Sequence, residues 1–382
     1  MSETPFNALS RAILPPVIET LSELRARRRA GLSINTANAC VVYIVGAGRS
    51  GSTLIERVLG TFRGWVNVGE LELIFRFGVL FNERCGCGSR FDACPFWRDV
   101  GQRAFGGWDQ DHARRTIEFG RIAVRRRYLP MLLFGFAETT PHWREAQEYV
   151  QTFERLYRAI SDVSGAAVIV DASKNPVHGL YLCRGGAADI YPLQLVRDPR
   201  GVAFSWSKDL ARPQDRNGTK PTYLVLSARH AARMWSRWNF WGSVLRTQAQ
   251  STIIRYEDFI QAPVPCLAQA LRSLALGPAD LEQALRGDLV LGPSHGIGGN
   301  ANRFRSGQIN LRVDDAWRRE LPLIQRYVVD ARTAPVRGML AIDRFRRRAS
   351  TLLRTTRPRE RAVEEGQVPG RGVMVDLSKR AG

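Results

Sequence analysis

The fold is decided by residues 39–45, ACVVYIV, together with the glycine-rich residues 46–51 and an amphipathic run at 52–59. A short β-branched run, a glycine loop and an amphipathic run predict a strand, a turn and a helix, in that order. Similar buried-strand patterns follow downstream, at 65–68, 167–170, 189–196 and 252–254. Helical periodicity fills the intervals between them, at 148–161, 227–246, 264–275 and 315–328. We therefore expect a three-layer α/β fold, in which a parallel sheet of about five strands is flanked by helices.

Length and composition are typical of a folded protein, because the 382 residues are 44% hydrophobic and 24% charged. We expect an N-terminal extension at 1–38, one domain at 39–350, and a basic, disordered tail at 351–382. The first thirty residues carry their basic cluster last, which is the wrong order for a signal peptide. No apolar run approaches 18 residues. These patterns predict a cytoplasmic protein without a transmembrane segment, although its basic clusters leave peripheral membrane contact open.

The charge balance is strongly basic, with 56 Lys and Arg residues against 36 Asp and Glu residues and a net charge of +20. Such an excess indicates a polyanionic partner, which could be nucleic acid, an acidic membrane or a multiply phosphorylated ligand. Only four of the basic residues are lysines. A coding bias towards arginine is therefore the alternative explanation for most of this charge.

The glycine-rich loop after the first strand has the composition of a phosphate-binding loop. Its glycines let several N–H groups point at one anion, and the helix that follows adds the positive end of its dipole. The spacing matches a nucleoside triphosphatase loop, but Ser52 stands where those enzymes have lysine. A kinase or nucleoside triphosphatase is therefore only the alternative function. We expect the phosphate to be held by Gly48, Arg49, Ser50, Gly51, Ser52 and Thr53.

A second anion site is predicted at the end of the strand at 189–196. The strand is followed by Arg197-Asp198-Pro199, and Asp198 is suited to cap a helix that has Pro199 in its first turn. Arg197 would then stand at the strand end, where a guanidinium makes bidentate contacts with phosphate. Ser205 would lie two turns along the same helix.

These two motifs resemble those of sulfotransferases that use 3′-phosphoadenosine-5′-phosphosulfate (PAPS). V-G-A-G-R-S-G-S-T-L resembles the 5′-phosphosulfate loop, in the arginine form of tyrosylprotein sulfotransferases and many bacterial sulfotransferases. V-R-D-P-R-x-x-x-x-S resembles the 3′-phosphate motif. The resemblance implies a P-loop NTPase-like sulfotransferase domain, PAPS as donor and PAP as product, and no metal. It also implies a hydroxyl acceptor, which could be a glycan, glycolipid, peptide or small alcohol, and no nucleic-acid partner.

The resemblance further assigns catalytic residues. Glu70 matches the Gly-Glu base of tyrosylprotein sulfotransferases, which implies that it deprotonates the acceptor hydroxyl. Histidine is the base in the cytosolic branch of the family, so His178 and His295 are alternative bases. Lys174 follows the predicted strand at 167–170, and the resemblance implies that it contacts the sulfonate or the bridging oxygen. With Arg49 it would neutralise charge on the leaving group.

A late loop at 295–307 carries two arginines and resembles the sulfotransferase loop that folds over the nucleotide. The resemblance implies that Arg303 and Arg305 reach the 3′-phosphate.

Three of the six cysteines, Cys85, Cys87 and Cys94, lie close together in the sequence. They offer only three ligands at a spacing unusual for metal sites, without a paired Cys/His cluster. The sequence therefore favours no metal site at these cysteines.

Overall fold

The computed structural model describes residues 39–123, 128, 132–133, 141–208, 225–277, 281 and 289–355. The expected N-terminal extension at 1–38 lies outside the described residues, as does most of the expected tail at 351–382. The chain divides into two compact units, Met1–Val336 and Arg337–Gly382. The sheet and the candidate site both belong to the first unit. The domain boundaries expected from the sequence stay predictions.

Strands and helices alternate along the first unit. The main strands are β1 (Cys40–Val45), β2 (Trp65–Gly69), β3 (Val168–Lys174), β4 (Asp189–Val196) and β5 (Thr252–Arg255). A small antiparallel pair is formed by β6 (Leu289–Leu291) and β7 (Gly307–Ile309). The described α-helices are α1 (Ser52–Leu59), α2 (Pro95–Phe105), α3 (Gln110–Ala123), α4 (Pro141–Ser164), α5 (Pro176–Gly185), α6 (Pro199–Ser207), α7 (Ala228–Leu245), α8 (Tyr256–Gln261), α9 (Pro263–Ser273), α10 (Trp317–Glu320) and α11 (Leu323–Thr355).

The five main strands form one parallel sheet in the order β2-β3-β1-β4-β5. The predicted parallel sheet of about five strands is confirmed. In a parallel sheet the carboxyl ends of all strands share one edge, which is where ligands bind in open α/β folds. The segments that follow β2, β3, β1 and β4 therefore meet side by side on that edge.

The central strand β1 shows why the fold has three layers. Its alternate residues Val41, Tyr43 and Val45 are buried in one hydrophobic cluster, which includes residues of α2, α4 and α5. Val42 and Ile44 are buried on the opposite face, in a cluster that includes residues of α1 and α9. Burying each of the valine and isoleucine side chains contributes roughly 1.5–3 kcal/mol. The sheet is covered by helices on both faces, as the continuous apolar run predicts.

One predicted helix, at 315–328, is wrong. The chain forms the short helix α10, leaves the helical conformation at Leu321, whose φ and ψ are −78° and 122°, and begins α11 after Pro322. Proline disfavours a helical conformation in the residue before it, so the helix is interrupted at Leu321. The apolar periodicity of the sequence continues across this non-helical link. Within the described residues, no helix is both long enough and apolar enough to cross a membrane.

Candidate active site

The loop between β1 and α1 is a tight turn that requires glycine. Gly51 has a φ of 93°, and a Cβ atom there would lie 2.6 Å from the ring of Tyr256. A Cβ atom at Gly48 would lie 2.9 Å from the ring of Trp206, whose Nε1 donates to the Gly48 carbonyl at 3.2 Å. Glycine alone avoids both clashes and adopts the left-handed conformation without strain. Arg49 is also left-handed, with a φ of 70°.

The loop offers hydrogen-bond donors that suit an anion. The Ser50 hydroxyl is buried and has no hydrogen-bond partner among the described residues. The first N–H groups of a helix have no partner within the helix, and Gly51 at the start of α1 supplies no side-chain cap. A phosphate or sulfonate group accepts hydrogen bonds from such donors, and the positive end of the helix dipole favours its charge.

The two motifs predicted to bind phosphate lie in direct contact. Arg49 Nε donates to Ser205 Oγ at 2.9 Å, and Arg197 Nη1 donates to the Arg49 carbonyl at 3.1 Å. Asp198 caps α6 as predicted, because its carboxylate accepts from the Arg200 N–H at 2.8 Å. The structure thus brings Arg49, Arg197 and Ser205 together, although Arg49 and Arg197 are 148 residues apart in the sequence.

Arg197 is held firmly at the end of β4. Its side chain is 8% exposed, and its guanidinium lies over the ring of Tyr256, 4.6 Å from the ring centroid. Its Nη2 forms an ion pair with Asp314 Oδ2 at 2.9 Å, and its carbonyl accepts from Trp235 Nε1 at 2.9 Å. The Asp314 side chain is 46% exposed. Arg197 is therefore a preorganised cation whose present partner is a carboxylate that solvent reaches.

Glu70 and Lys174 form an ion pair at the ends of β2 and β3. The Lys174 Nζ lies 2.5 Å from the Glu70 Oε1, and both side chains are largely buried. Lys174 has a left-handed φ of 67°, and its carbonyl accepts from the Gly46 N–H at 3.3 Å. A Cβ atom on Gly299 would lie 3.1 Å from Glu70 Oε1 and 3.4 Å from Thr53 Oγ1. The ion pair therefore adjoins both ends of the glycine loop.

Two further carboxyl groups lie in the electrostatic surroundings of this pair, and no sequence motif indicates them. Burial raises the pKa of Glu56, on α1, to about 8. Burial also raises the pKa of Glu72 to about 8, and Asn175 Nδ2 donates to the Glu72 carboxyl at 2.6 Å. Lys174 acts on both groups in the opposite direction, since its positive charge lowers their pKa values. Lys174 therefore acts electrostatically on Glu56 and Glu72 as well as on Glu70, and Arg57 also lowers the pKa of Glu56.

We expect Glu56→Gln to change the pH dependence of stability. The pKa of Glu56 is about 8 in the folded chain against an ordinary value of 4.5, so the folded state binds the proton more tightly. The contribution of Glu56 to the free energy of unfolding therefore falls as the pH rises from about 4.5 to about 8. Glutamine stays neutral and removes this fall. Urea unfolding at pH 5 and pH 9 should show a stabilised variant at pH 9 and nearly equal proteins at pH 5.

The control for this prediction is Glu320→Gln, which changes an exposed carboxylate on α10. Its unfolding curves should follow those of the wild type at both pH values. Parallel pH profiles for Glu56→Gln and the wild type would contradict the placement of Glu56.

Asp171 in β3 follows an apolar run, and a carboxylate there could hold Mg²⁺ in a nucleoside triphosphatase, but protein donors occupy it. Its side chain is fully buried; Oδ1 accepts from the N–H and hydroxyl of Ser173, and Oδ2 accepts from the Tyr157 hydroxyl at 2.7 Å. A carboxylate bonded in this way is poorly placed to hold Mg²⁺.

His178, an alternative base, is buried: burial lowers its pKa to about 3, and its Nδ1 lies 2.7 Å from the Tyr149 hydroxyl. We therefore set His178 aside as a base.

The late loop is fastened to the sheet edge. The Ile297 N–H donates to the Val68 carbonyl at 3.1 Å, and the Glu70 N–H donates to the Ile297 carbonyl at 2.8 Å. These two bonds extend the sheet by one residue on the far side of β2. They also fix the backbone of Glu70 at its N–H group.

Arg303 holds the same loop from within, which differs from its predicted role. Its side chain is 1% exposed, and its Nη1 donates to the Gly298 carbonyl at 2.6 Å. Arg57 of α1 donates to the Arg303 carbonyl on the other side. Because the Arg303 guanidinium is buried against carbonyls of its own loop, we leave it out of the nucleotide site. Arg305 is exposed, and its contact with the 3′-phosphate stays a prediction.

His295 corrects the interpretation of the cysteines. Cys85, Cys87, Cys94 and His295 come together, with all four ligand atoms within 4.8 Å of one another. The sequence interpretation counts three ligands because the fourth lies 201 residues beyond Cys94. His295 therefore belongs to this cluster, which is a different role from that of a catalytic base.

Comparisons with known proteins found similar solved structures. One similar structure is a sulfotransferase domain from the curacin biosynthetic pathway. It shows 17% identity and a TM-score of 0.42, and the match covers 79% of this chain and 98% of that domain. A sulfotransferase domain from the Synechococcus PCC 7002 olefin synthase shows 15% identity, a TM-score of 0.41, and coverage of 77% and 94%. A sulfotransferase of Mycobacterium tuberculosis H37Rv shows 15% identity, a TM-score of 0.34, and coverage of 69% and 74%. No curated protein sequence matches the chain.

The family model described as "Sulfotransferase family" matches residues 42–279. This range contains the glycine loop, Glu70, Lys174 and Arg197, and it ends before the late loop. Because the match covers more than half of this chain, the chain belongs to the sulfotransferase family.

Proposed function

We propose that this chain transfers the sulfuryl group of PAPS to a hydroxyl acceptor. The observation that carries the proposal is the direct contact between the two anion-binding motifs, in which Arg197 donates to the Arg49 carbonyl and Arg49 donates to Ser205. A nucleotide with phosphate groups at both its 3′ and 5′ positions needs two such sites side by side. A nucleotide with phosphate groups only at its 5′ position needs just one phosphate-binding loop.

The donor would be held at its two charged ends. The 5′-phosphosulfate would accept hydrogen bonds from the N–H and hydroxyl groups of Gly48, Ser50, Gly51, Ser52 and Thr53. The buried Ser50 hydroxyl, which has no partner among the described residues, can donate one of them. Arg197 and Ser205 would bind the 3′-phosphate. The phosphate would replace the Asp314 carboxylate on Arg197, so one anionic partner is exchanged for another.

The chemistry needs a base and a cation that faces the leaving group. PAPS supplies a sulfur–oxygen bond that breaks as the acceptor oxygen attacks from the opposite side. Glu70 would take the proton of the acceptor hydroxyl, and Lys174 with Arg49 would neutralise the charge that develops on the bridging oxygen. The Glu70–Lys174 ion pair supports these roles, because a base and a cation already lie in contact at the sheet edge.

The left-handed backbone of Arg49 and Lys174 adds a second support. A non-glycine residue in this region costs of the order of 1–3 kcal/mol, and such residues cluster at functional sites. The two residues are also the two cations of the proposed transfer step.

We propose a glycan, glycolipid, peptide or small alcohol as the acceptor.

Nucleotide preference tests the proposed donor. Calorimetric titration should show PAP binding at least ~30-fold more tightly than 5′-AMP, because 5′-AMP lacks the phosphate that Arg197 would bind and truncating one partner of a buried charge pair costs about 2–5 kcal/mol. ATP with Mg²⁺ should bind more weakly than PAP and should not be hydrolysed. Equal affinity for PAP and 5′-AMP would contradict the 3′-phosphate site, and ATP turnover would favour the kinase or triphosphatase alternative.

A further inference from the structure

Four side chains outside the proposed transfer site converge on one point. The Sγ atoms of Cys87 and Cys94 are 3.7 Å apart, as are those of Cys94 and Cys85. The Nδ1 of His295 lies 3.6 Å from Cys85 Sγ and 3.4 Å from Cys94 Sγ. All four ligand atoms lie within 4.8 Å of one another. Three thiols and an imidazole thus face a common centre.

Four of the six separations in this cluster are those of a tetrahedral zinc site, and the other two, which both involve Cys87, do not exceed 4.8 Å. With Zn–S near ~2.3 Å and Zn–N near ~2.0–2.1 Å, tetrahedral geometry places two sulfur ligands about 3.8 Å apart and a sulfur about 3.6 Å from the nitrogen. The four separations above agree with these values to within about 0.2 Å. A disulfide requires sulfur atoms about 2.05 Å apart, which none of these pairs approaches. The geometry therefore favours a metal over a cystine.

We propose that Cys85, Cys87, Cys94 and His295 bind one structural Zn²⁺ ion. The three thiols would lose their protons to solvent on binding, and neutral His295 would coordinate through Nδ1, so no change of oxidation state is involved. Three sulfurs and one nitrogen fill a tetrahedral shell and leave no open position for a substrate. The site is therefore structural, and the ion takes no part in the chemistry of the proposed sulfuryl transfer.

The surroundings of the cluster orient its ligands. The His295 ring stacks on Phe96, with centroids 4.4 Å apart and an interplanar angle of 13°, and the His295 carbonyl accepts from Trp97 Nε1 at 2.9 Å. The cysteine loop closes through a bond from the Cys85 N–H to the Ser89 carbonyl at 2.8 Å. The stacking contact therefore fixes the orientation of the His295 ring, and the Trp97 bond holds its backbone.

The ion would tie the cysteine segment to the late loop. His295 lies two residues before Ile297, whose carbonyl accepts from the Glu70 N–H. The Gly86 N–H also donates to the Gly296 carbonyl at 3.0 Å, so the two segments already touch. Zinc would add covalent bonds to this contact and so limit the movement of the backbone beside Glu70.

Metal analysis of the full chain tests the proposal. Protein purified in reducing buffer and dialysed against Zn²⁺ and then metal-free buffer should retain about one zinc ion per chain by mass spectrometry. Cys87→Ser changes the exposed ligand, so the variant should fold, yet its zinc affinity should fall by more than ~100-fold. His295→Ala should lose zinc equally, whereas His295→Cys should restore it with four sulfur ligands. Cys266→Ser, outside the cluster, should retain zinc as the wild type does.

Spectroscopy of the bound metal provides a second test. X-ray absorption spectra at the zinc edge should show three sulfur neighbours near ~2.3 Å and one nitrogen near ~2.0–2.1 Å. The cobalt-substituted chain should show thiolate charge-transfer and tetrahedral d–d bands, which Cys87→Ser should weaken. The proposal is overturned if the folded wild type retains no zinc, if its metal has only oxygen and nitrogen ligands, or if Cys87→Ser and His295→Ala retain zinc as the wild type does.

Discussion

Glu70→Gln is expected to reduce sulfuryl transfer from PAPS by ~10²-fold or more and to leave the affinity for PAP nearly unchanged. Glutamine has the shape of glutamate but accepts no proton from the acceptor hydroxyl. Glu70 lies at the Lys174 side of the site, and the predicted 3′-phosphate contacts come from Arg197 and Ser205. Single-turnover rates with labelled PAPS would measure the chemical step, and calorimetry would measure PAP binding.

The matched control is Glu72→Gln, two residues along the same turn. Burial raises the pKa of Glu72 to about 8, so its carboxyl is mostly protonated at neutral pH and glutamine replaces it with little change of charge. The amide oxygen still accepts from Asn175 Nδ2. Glu72→Gln should therefore transfer at a rate close to that of the wild type. If Glu70→Gln also turns over normally, the base lies elsewhere.

Arg197→Ala is expected to weaken PAP binding by about 2–5 kcal/mol, which is roughly 30-fold to several thousandfold. The buried guanidinium is the predicted partner of the 3′-phosphate, and alanine would leave that phosphate without a charged donor. Binding of 5′-AMP, which lacks the 3′-phosphate, should change much less. Calorimetric titration of both nucleotides into wild type and variant would separate the two effects.

Two further variants make this prediction specific. Asp314→Asn removes the negative charge that now pairs with Arg197, so PAP binding should strengthen. Arg255→Ala removes an exposed arginine at the end of the adjacent strand β5, and it should bind PAP as the wild type does. Unchanged PAP affinity in Arg197→Ala, or an equal loss in Arg255→Ala, would contradict the 3′-phosphate site.

The parts of this molecule that depend on local sequence are predictable from it. The apolar run of β1 predicts a strand buried on both faces, and Val41 and Val42 are indeed buried in opposite clusters. The order Asp198-Pro199 predicts the start of α6, because capping and the fixed φ of proline are local effects. The contact between Arg49 and Arg197 follows from the topology, since β1 and β4 are neighbours in the sheet.

The parts that the sequence leaves hidden depend on long-range packing. His295 joins the cysteines only because the late loop pairs with the end of β2, and no spacing rule connects residues 201 positions apart. Arg303 has the residue type and loop position of a phosphate ligand, yet its guanidinium is buried against Gly298. Glu56 lies on an amphipathic helix, where a charged residue is ordinarily exposed, and only the fold shows that it is buried.

Transfer of radiolabelled sulfate from PAPS to an acceptor would measure the proposed reaction itself. Wild type and Glu70→Gln would be incubated with labelled PAPS and fractions containing glycans, glycolipids, peptides or small alcohols, and the products would be analysed by chromatography and mass spectrometry. We expect a labelled sulfate ester and stoichiometric PAP with the wild type, and at least ~10²-fold less of both with Glu70→Gln. Equal labelling by the two proteins, or ATP consumption in place of PAPS consumption, would contradict this expectation.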